Sequence, residues 1–217
     1  MTTEVAAQRR AARVAGLLYL LTNATAIFAF SVRIRLSVPG DAIGTMKRIA
    51  SSERLFRLGI ATELITIAGV ILLIAALYIV LQPVSRNVAL VAVFWRLAEN
   101  FVLAAVVLNE LLALRLLRQP ELAYTFLGLY GDGFRIGFVF LGLGSAVFAW
   151  LWFESRYIPR LLAAIGIFGS LLMATVELTT MVVPGAAAAI GMAYMAPMGV
   201  FEIGGGLWLL IKGISKD

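Results

Sequence analysis

Long blocks of apolar residues, separated by short polar stretches, dominate this chain of 217 residues. Each block is about as long as the 20-residue helix that crosses the hydrocarbon core of a bilayer. The sequence lacks the alternation of apolar and polar residues that a transmembrane β-barrel needs. We therefore predict an all-α polytopic membrane protein, a bundle of six transmembrane helices in a single domain over residues 1–217. The predicted spans cover approximately residues 14–32, 55–81, 88–117, 134–153, 161–183 and 186–210.

The polar stretch between the first two spans contains a short amphipathic segment. Pro39-Gly40 indicates a turn, and Asp41 is placed to cap a helix over residues 42–50. Apolar residues recur there at every third position from Ile43, opposite charged positions. We interpret this segment as an interfacial helix that lies on the lipid headgroups. The alternative is a lid over a cavity in the membrane.

Three further local patterns carry expectations about the spans. Residues 1–13 are polar and basic, which indicates a solvated lead. A short separate helix over residues 121–127 is expected to precede the fourth span. Asp132-Gly133 is expected to cap the fourth span itself. In the sixth span we expect Pro197 to kink the helix and the three glycines at 204–206 to distort it.

Composition agrees with the membrane assignment and narrows the chemistry. The chain is 62% hydrophobic and 14% charged, whereas a soluble domain has about 25% charged residues. It has no cysteine and no histidine, which excludes disulfides, thiolate catalysis and the usual zinc and copper sites. Imidazole is also absent as a proton shuttle. We expect neither a metal nor a cofactor.

The net charge of +6 does not indicate nucleic-acid binding. Most of the arginines lie at the ends of the apolar blocks, where they reach lipid phosphates, and no basic face is interleaved with stacking aromatic residues. Six spans place both termini on one side of the membrane. The basic residues on that side are Arg9, Arg10, Arg13, Arg86, Arg156, Arg160, Lys212 and Lys216. By the positive-inside rule we expect a multi-pass protein of the cell membrane with cytoplasmic termini.

The third span differs from the others because its central run, residues 91–111, carries an arginine, two glutamates and two asparagines. At about 100° per residue, most of its polar residues fall on one face with two apolar neighbours. That face comprises Arg96, Glu99, Asn100, Leu103, Val107 and Glu110. Charge in a membrane helix is costly and normally faces protein or a water-filled cavity, so we expect this face to point inward.

Ionisable side chains also lie within other predicted spans. The groups that lie well inside the spans are Glu63, Arg96, Glu99, Glu110, Glu177 and Glu202. Because one arginine cannot pair with five carboxylates, we expect Arg96 to pair with Glu99 on its own helix or with Glu63. We expect at least one of Glu110, Glu177 and Glu202 to be protonated at pH 7. Glu110 has the weakest case for a buried role, since it lies late in its span.

We predict that these groups line one acidic pocket for ligand binding or proton coupling, in which Arg96 is the one cation. The predicted site residues are Glu63, Arg96, Glu99, Asn100, Glu177 and Glu202. The plainer interpretation is a hydrogen-bonded cluster that only fixes how the helices pack.

Several segments together resemble a family of bacterial membrane proteins catalogued as domain of unknown function 4386. The most specific piece is Ser-Glu-Arg-Leu-Phe-Arg-Leu-Gly at residues 52–59. The others are residues 12–21, 38–42, 94–99 and 157–162, and the closing segment with Glu202 and residues 208–213. The resemblance covers nearly the whole chain. It implies a compact multi-span bundle and no particular activity.

Three functions are compatible with this sequence. We favour a binding or transport protein whose acidic pocket takes a small amphipathic or cationic molecule, with proton coupling as an option. The second is an intramembrane enzyme that uses a protonated glutamate as general acid on a lipid or isoprenoid substrate. The third is a structural subunit of a membrane complex. The expected partners are the lipid bilayer, a small-molecule or lipid ligand and a second copy of the chain.

Overall fold

The structure is a computed structural model that describes residues 3–183 and 185–214. All its elements are helical over these residues. They are α1 (Thr3–Leu36), α2 (Ala42–Ser51), α3 (Glu53–Leu81), α4 (Arg86–Arg115), α5 (Pro120–Ser155), α6 (Arg160–Val182), α7 (Ala186–Ile190), a 3-10 helix (Ala193–Met195) and α8 (Ala196–Ile211). Six segments in this part of the chain are long and apolar enough to cross a membrane: α1, α3, α4, α5, α6, and α8 with its preceding 3-10 turn. The predicted six-span, all-helical architecture is confirmed.

The six long helices form a closed ring in chain order. Each packs against the next one in the order α1, α3, α4, α5, α6 and α8, and α8 closes the ring by packing against α1. Short connections join successive helices, so neighbours around the ring run in opposite directions. A ring of this kind encloses a central space into which every span can direct side chains.

The predicted solvated lead at residues 1–13 is wrong for its described part, because α1 begins at Thr3. Gln8 is buried and its amide donates to the Val80 carbonyl at 2.7 Å. Ala11 and Ala12 pack in the core, while the arginines of this turn are exposed. Small side chains on one face and basic ones on the other therefore let the helix begin a turn or more before the apolar block.

The fourth span is also longer than predicted. No separate helix precedes it in the described structure, since α5 is continuous from Pro120, which stands in its first turn where a missing N–H costs nothing. Asp132 is exposed and lies 3.6 Å from Arg135 as an ion pair, so it does not cap a helix. Burial of Ala123 and Tyr130 holds this extra length of helix against the bundle.

The sixth span is a shorter helix than predicted, because the predicted helix is broken near its start. α7 ends before Gly191, which adopts a φ of +65°, and the 3-10 turn leads into α8. Pro197 stands in the first turn of α8 and therefore starts a helix, where a kink was expected. The glycines at 204–206 remain helical, since Gly206 packs directly against Gly16 of α1.

The short helix α2 forms as predicted and ends one residue later. The Asp41 side chain accepts a hydrogen bond from the Gly44 amide at 2.7 Å, which is the expected N-cap. Met46 and Ile49 are buried against the bundle, while Ile43 is exposed. The apolar face of α2 thus covers the end of the bundle opposite the chain termini.

Two separate apolar cores close the two ends of the ring. The core at the end that holds the chain termini contains large side chains such as Phe148, Leu151 and Trp152. The core at the opposite end lies beneath α2 and includes Met46 and Phe56. Polar and charged residues occupy the level between these cores, and the candidate site lies there.

Candidate functional site

A cavity of about 340 Å³ lies inside the ring, between the two apolar cores. All six spans contribute to its wall. Its apolar lining includes three phenylalanines and three methionines. Its polar lining consists of Thr22, Asn23, Arg33, Glu63, Thr66, Arg96, Glu99, Asn100, Tyr130 and Glu202. The cavity therefore has an apolar surface with a limited set of charged and hydrogen-bonding groups, as small-molecule sites commonly do.

The polar face of α4 points inward, as predicted from its spacing. All six residues of that face are buried, whereas Phe101 and Leu108 are exposed. The predicted pairing of Arg96 with Glu99 is confirmed, with Arg96 Nη1 lying 2.8 Å from Glu99 Oε2. The same nitrogen donates to Ser145 Oγ on α5 at 3.3 Å. A buried arginine is thereby held between two helices of the ring.

Gly144 on α5 makes room for that arginine. A β-carbon at this position would lie 2.7 Å from Arg96 Cγ. Close approach of α4 and α5 thus places the guanidinium beside Ser145, and the position of Arg96 follows from the missing side chain opposite it.

Asn100 is almost fully buried at 1% exposure and joins α4 to α3. Its Nδ2 donates to the Ile67 carbonyl at 2.9 Å. A carbonyl can only accept, so this bond fixes the orientation of the amide and directs Oδ1 elsewhere. Asn100 Oδ1 is buried and has no hydrogen-bond partner. An unpartnered buried acceptor is costly, and such an atom calls for a donor in the cavity.

Glu202 faces α4 from α8 on the other side of the cavity. Its Oε2 accepts a hydrogen bond from Asn23 Nδ2 of α1 at 3.0 Å. In the described part of the chain, no arginine or lysine lies within ion-pair distance of this carboxyl. Arg96 and Glu99 are nevertheless close enough to Glu202 for their charges to interact. Glu202 is the carboxyl of this cavity that is left without an ion pair.

A second arginine at the cavity was missed by the sequence analysis. Arg33 on α1 donates to Glu110 through Nε at 2.7 Å and through Nη2 at 2.6 Å, which is a bidentate ion pair. The same Nη2 also binds Glu63. The prediction that Arg96 would be the one cation in the pocket is therefore wrong, and Glu63 pairs with Arg33 instead of Arg96.

Tyr130 on α5 completes this group, which we call the Arg33 cluster: Arg33, Glu63, Glu110 and Tyr130. The Tyr130 hydroxyl lies 2.9 Å from both oxygens of Glu63 and donates to that carboxylate. Its ring lies under the guanidinium of Arg33, whose central carbon is 4.6 Å from the ring centroid. Glu110 is 1% exposed, so it does not reach the headgroups. Four helices meet in this cluster.

The Arg33 cluster does not follow from the predicted spans, because two span boundaries are wrong. The predicted first span ends at residue 32, one residue before Arg33, and Tyr130 falls in the predicted connection between the third and fourth spans. Ala26, Phe30 and Arg33 recur at helical spacing, so an extension of the span would have placed Arg33 on the cavity face. Tyr130 likewise precedes Phe134, Phe138 and Leu141 at helical spacing, so an earlier start of the fourth span would have placed it on the same face.

A smaller cavity of about 140 Å³ lies beneath α2, on the far side of the Arg33 cluster. Thr45 and Ile49 of α2 line it, together with Arg33, Glu110 and Tyr130. Arg33 and Tyr130 line both cavities. The Arg33 cluster therefore forms the partition between the central cavity and the space under α2.

Glu177, the remaining predicted site residue, does not line the central cavity. It is buried on α6 and accepts a hydrogen bond at 2.5 Å from the Tyr194 hydroxyl in the 3-10 turn. The other five predicted residues, namely Glu63, Arg96, Glu99, Asn100 and Glu202, line the cavity together. Glu177 instead ties α6 to the segment that leads into α8.

The cavity and its partition contain more carboxyls than cations. Arg33 lies between two carboxyls, and Arg96 lies beside Glu99 with Glu202 nearby. Four carboxyls thus share two arginines. Within the described residues, no group of three or more acidic side chains is arranged to hold a metal ion.

The ring of six apolar helices around a polar cavity defines the class as a polytopic membrane protein. The family model described as "Domain of unknown function (DUF4386)" matches residues 14–213, so the chain belongs to this family. The family is the one that the sequence motifs indicated. No curated protein and no solved structure matches the chain.

Proposed function

We propose that this protein binds small amphipathic cations in its central cavity and passes them across the membrane. The observation that carries the proposal is the charge balance, because four carboxyls in and beside the cavity face two arginines. A cation that enters restores electrical balance, and an anion would add to the excess. Burial of a charge without a compensating charge costs free energy, so a positively charged occupant is favoured.

The distribution of apolar residues supports an amphipathic occupant. Phe134, Phe138 and Leu141 of α5 and Met173 of α6 line the same cavity as the carboxyls of α8 and α4. Methionine side chains adapt to ligands of different shape. A molecule with an apolar body and one positive end fits both parts of this lining.

The way into the cavity in this proposal is lateral, between α1 and α8. At one end these helices pack closely, since a β-carbon on Gly16 would lie 2.6 Å from the Leu210 amide nitrogen. Further along α8, a β-carbon on Gly199 would have no neighbour within 4 Å. Ile27 and Ile203 line the cavity although both side chains are exposed. Exposed residues that also line a cavity mark its opening, here toward the lipid.

The way out in this proposal leads through the Arg33 cluster. The space under α2 lies directly beyond this partition, so a movement of Arg33 would join the two cavities. The apolar core at the terminal end, with Trp152 and Phe148, closes the other direction. A proton on Glu202 can replace a departing cation, which would couple ligand movement to protons.

The proposal includes the orientation in the cell membrane, with both termini in the cytoplasm. Arg33 would count toward the opposite side in the positive-inside rule, but it is held inside the bundle by two carboxylates. Without Arg33, fewer basic residues count toward the side of α2, so the excess of basic residues on the side of the chain termini is larger.

Binding can be tested with two ligands of equal chain length and opposite charge. Purified protein in lipid nanodiscs is titrated calorimetrically with octylamine, which is protonated at pH 7, and with octanoate. We expect saturable binding of octylamine above the partitioning into empty nanodiscs, and none of octanoate. Glu202→Gln should weaken octylamine binding at least tenfold, since it removes the unpaired carboxyl.

The matched control is Glu53→Gln, because Glu53 is exposed at the start of α3, away from the cavity. This variant should bind octylamine as the parent does. Octanoate binding as tight as that of octylamine would contradict the proposal, and so would unchanged octylamine affinity in Glu202→Gln. Turnover of a lipid extract by the purified protein would favour an enzyme.

A further inference from the structure

We infer that the positive end of the ligand is an amine that carries N–H groups, and that Asn100 Oδ1 and Glu202 receive it. This inference rests on the proposed function and specifies its ligand class. A quaternary ammonium would supply the same charge without any donor. The distinction follows from which hydrogen-bonding atoms in the cavity are already occupied.

The neutral donors around the cavity are engaged within the protein. The Asn23 amide donates to Glu202 and to the Tyr19 carbonyl, and the Asn100 amide donates to Ile67. The hydroxyls of the lining behave in the same way. Thr22 donates to Leu18, Thr66 to either Thr62 or Thr25, and Tyr130 to Glu63.

The acceptors, in contrast, are left open in the described structure. Asn100 Oδ1 is buried without a hydrogen-bond partner. Glu99 Oε2, in contrast, lies 2.8 Å from Arg96 Nη1 as an ion pair and is already engaged. Glu202 receives a donor on Oε2 alone, from Asn23. Asn100 Oδ1 on α4 and the second oxygen of Glu202 on α8 therefore lack donors on the two sides of one cavity.

An ammonium group satisfies these acceptors, since it offers up to three N–H donors and one positive charge. Arg96 retains N–H groups beyond Nη1, but Glu99 beside it offsets its charge. The charge left to be neutralised belongs to Glu202. Charge-assisted hydrogen bonds to carboxylates are about twice as strong as neutral ones, so each lost N–H should weaken binding.

Such an amine can belong to a free amphipathic molecule or to the headgroup of an ethanolamine lipid. The lateral opening between α1 and α8 admits either, because the tail of a lipid can remain outside the cavity. The shared recognition element is the primary ammonium on a short apolar stem.

A methylation series tests the inference. Octylamine and its N-methyl, N,N-dimethyl and N,N,N-trimethyl derivatives keep one chain while the number of N–H donors falls from three to zero. Titrated into the full-length protein in phosphatidylcholine nanodiscs, we expect affinity to fall stepwise, by tenfold or more over the series. In Asn100→Leu the difference between the primary amine and the trimethyl derivative should shrink, because Glu202 is then the acceptor that remains.

Thr66→Val serves as the matched control. Its hydroxyl also lines the cavity but is already bonded within the protein, so the valine variant should keep the full preference for the primary amine. Asn100→Asp, which retains an acceptor and adds charge, should keep the preference even if the leucine variant does not fold. Phosphatidylethanolamine in the nanodisc should weaken the apparent octylamine affinity if the lipid headgroup is the natural occupant, and should leave it unchanged if the ligand is a free amine.

The outcomes separate the inference from the proposed function. Equal affinity for all four amines would overturn the inference while leaving cation binding intact. A lack of saturable binding by any of them would overturn both. A preference for the primary amine that is undiminished in Asn100→Leu would show that Asn100 does not recognise the N–H donors, and would also overturn the assignment.

Discussion

The two arginines of the cavity show how one side chain can serve several helices. Arg33 contacts two carboxylates through Nε and Nη2, and its guanidinium lies over an aromatic ring. Arg96 contacts one carboxylate and one hydroxyl through a single nitrogen. The difference makes the Arg33 cluster a closed structural unit. The surroundings of Arg96 still have open acceptors, which is where a ligand can contribute.

Removal of Arg33 should destabilise the protein strongly. Arg33→Gln leaves Glu63 and Glu110 without their cation, and breaking a buried ion pair from one side costs about 3–5 kcal/mol. We expect a clearly lower unfolding temperature in detergent, measured by circular dichroism. The exposed pair of Arg57 with Glu53 provides the control. Arg57→Gln should change stability by no more than about 1 kcal/mol.

The double variant Arg33→Gln with Glu110→Gln should recover part of the loss, because it removes one of the uncompensated charges. Equal stability of Arg33→Gln and Arg57→Gln would contradict the assigned role of the cluster.

At the scale of helices, close contacts between small residues determine where the bundle is tight and where it opens. Gly166 lies against the Phe201 ring and Gly169 against the first turn of α8, which bring α6 and α8 together. Gly16 and Gly206 do the same for α1 and α8 near the chain termini. The separation of α1 and α8 beyond this contact leaves the lateral opening of the cavity.

A single methyl group at Gly16 should therefore be destabilising. The β-carbon of Gly16→Ala would lie within 2.7 Å of backbone atoms of α8, so the two helices must move apart. Overpacking of this kind costs about 1–3 kcal/mol. The control is Gly128→Ala on α5, where nothing lies within 4 Å and alanine favours the helix. Thermal unfolding in detergent should show a loss for Gly16→Ala and none for Gly128→Ala; equal behaviour would refute the tight contact.

At the scale of the whole molecule, an apolar core at each end isolates the polar level in the middle. In the proposed function, this arrangement leaves the lateral opening and the Arg33 cluster as the ways into and out of the cavity. It also separates two surfaces, one with the termini and one with α2. The orientation of the protein in the membrane decides which compartment each of these surfaces faces.

The absence of cysteine makes the orientation directly measurable. Single cysteines can be placed at Lys47 on α2 and at Arg86 at the start of α4, both of which are exposed. With cytoplasmic termini, a membrane-impermeant maleimide added to intact cells should label Lys47→Cys and leave Arg86→Cys unlabelled. After the membrane is made permeable, both should react. The reverse pattern in intact cells would invert the proposed orientation.

Much of the fold follows from the sequence, because membrane spans are encoded locally. Apolar length predicts the spans, and helical spacing places Arg96, Glu99 and Asn100 on an inward face, since charge avoids lipid. The Asp41 cap and the pairing of Arg96 with Glu99 also depend on residues within a few positions of one another. Each of these features was predicted and is present in the structure.

Tertiary structure alone decided which distant groups meet. Arg33 pairs with Glu63 and Glu110 because α1, α3 and α4 converge in the ring, and none of the three spans shows its partner in its own pattern. Glu177, equally buried and acidic, is turned to Tyr194 and away from the cavity. The sequence by itself determined which side chains must avoid lipid, since that preference belongs to each residue and its helix. Their partners were decided by the packing of helices far apart in the chain, because an ion pair depends on distances that only the assembled bundle defines.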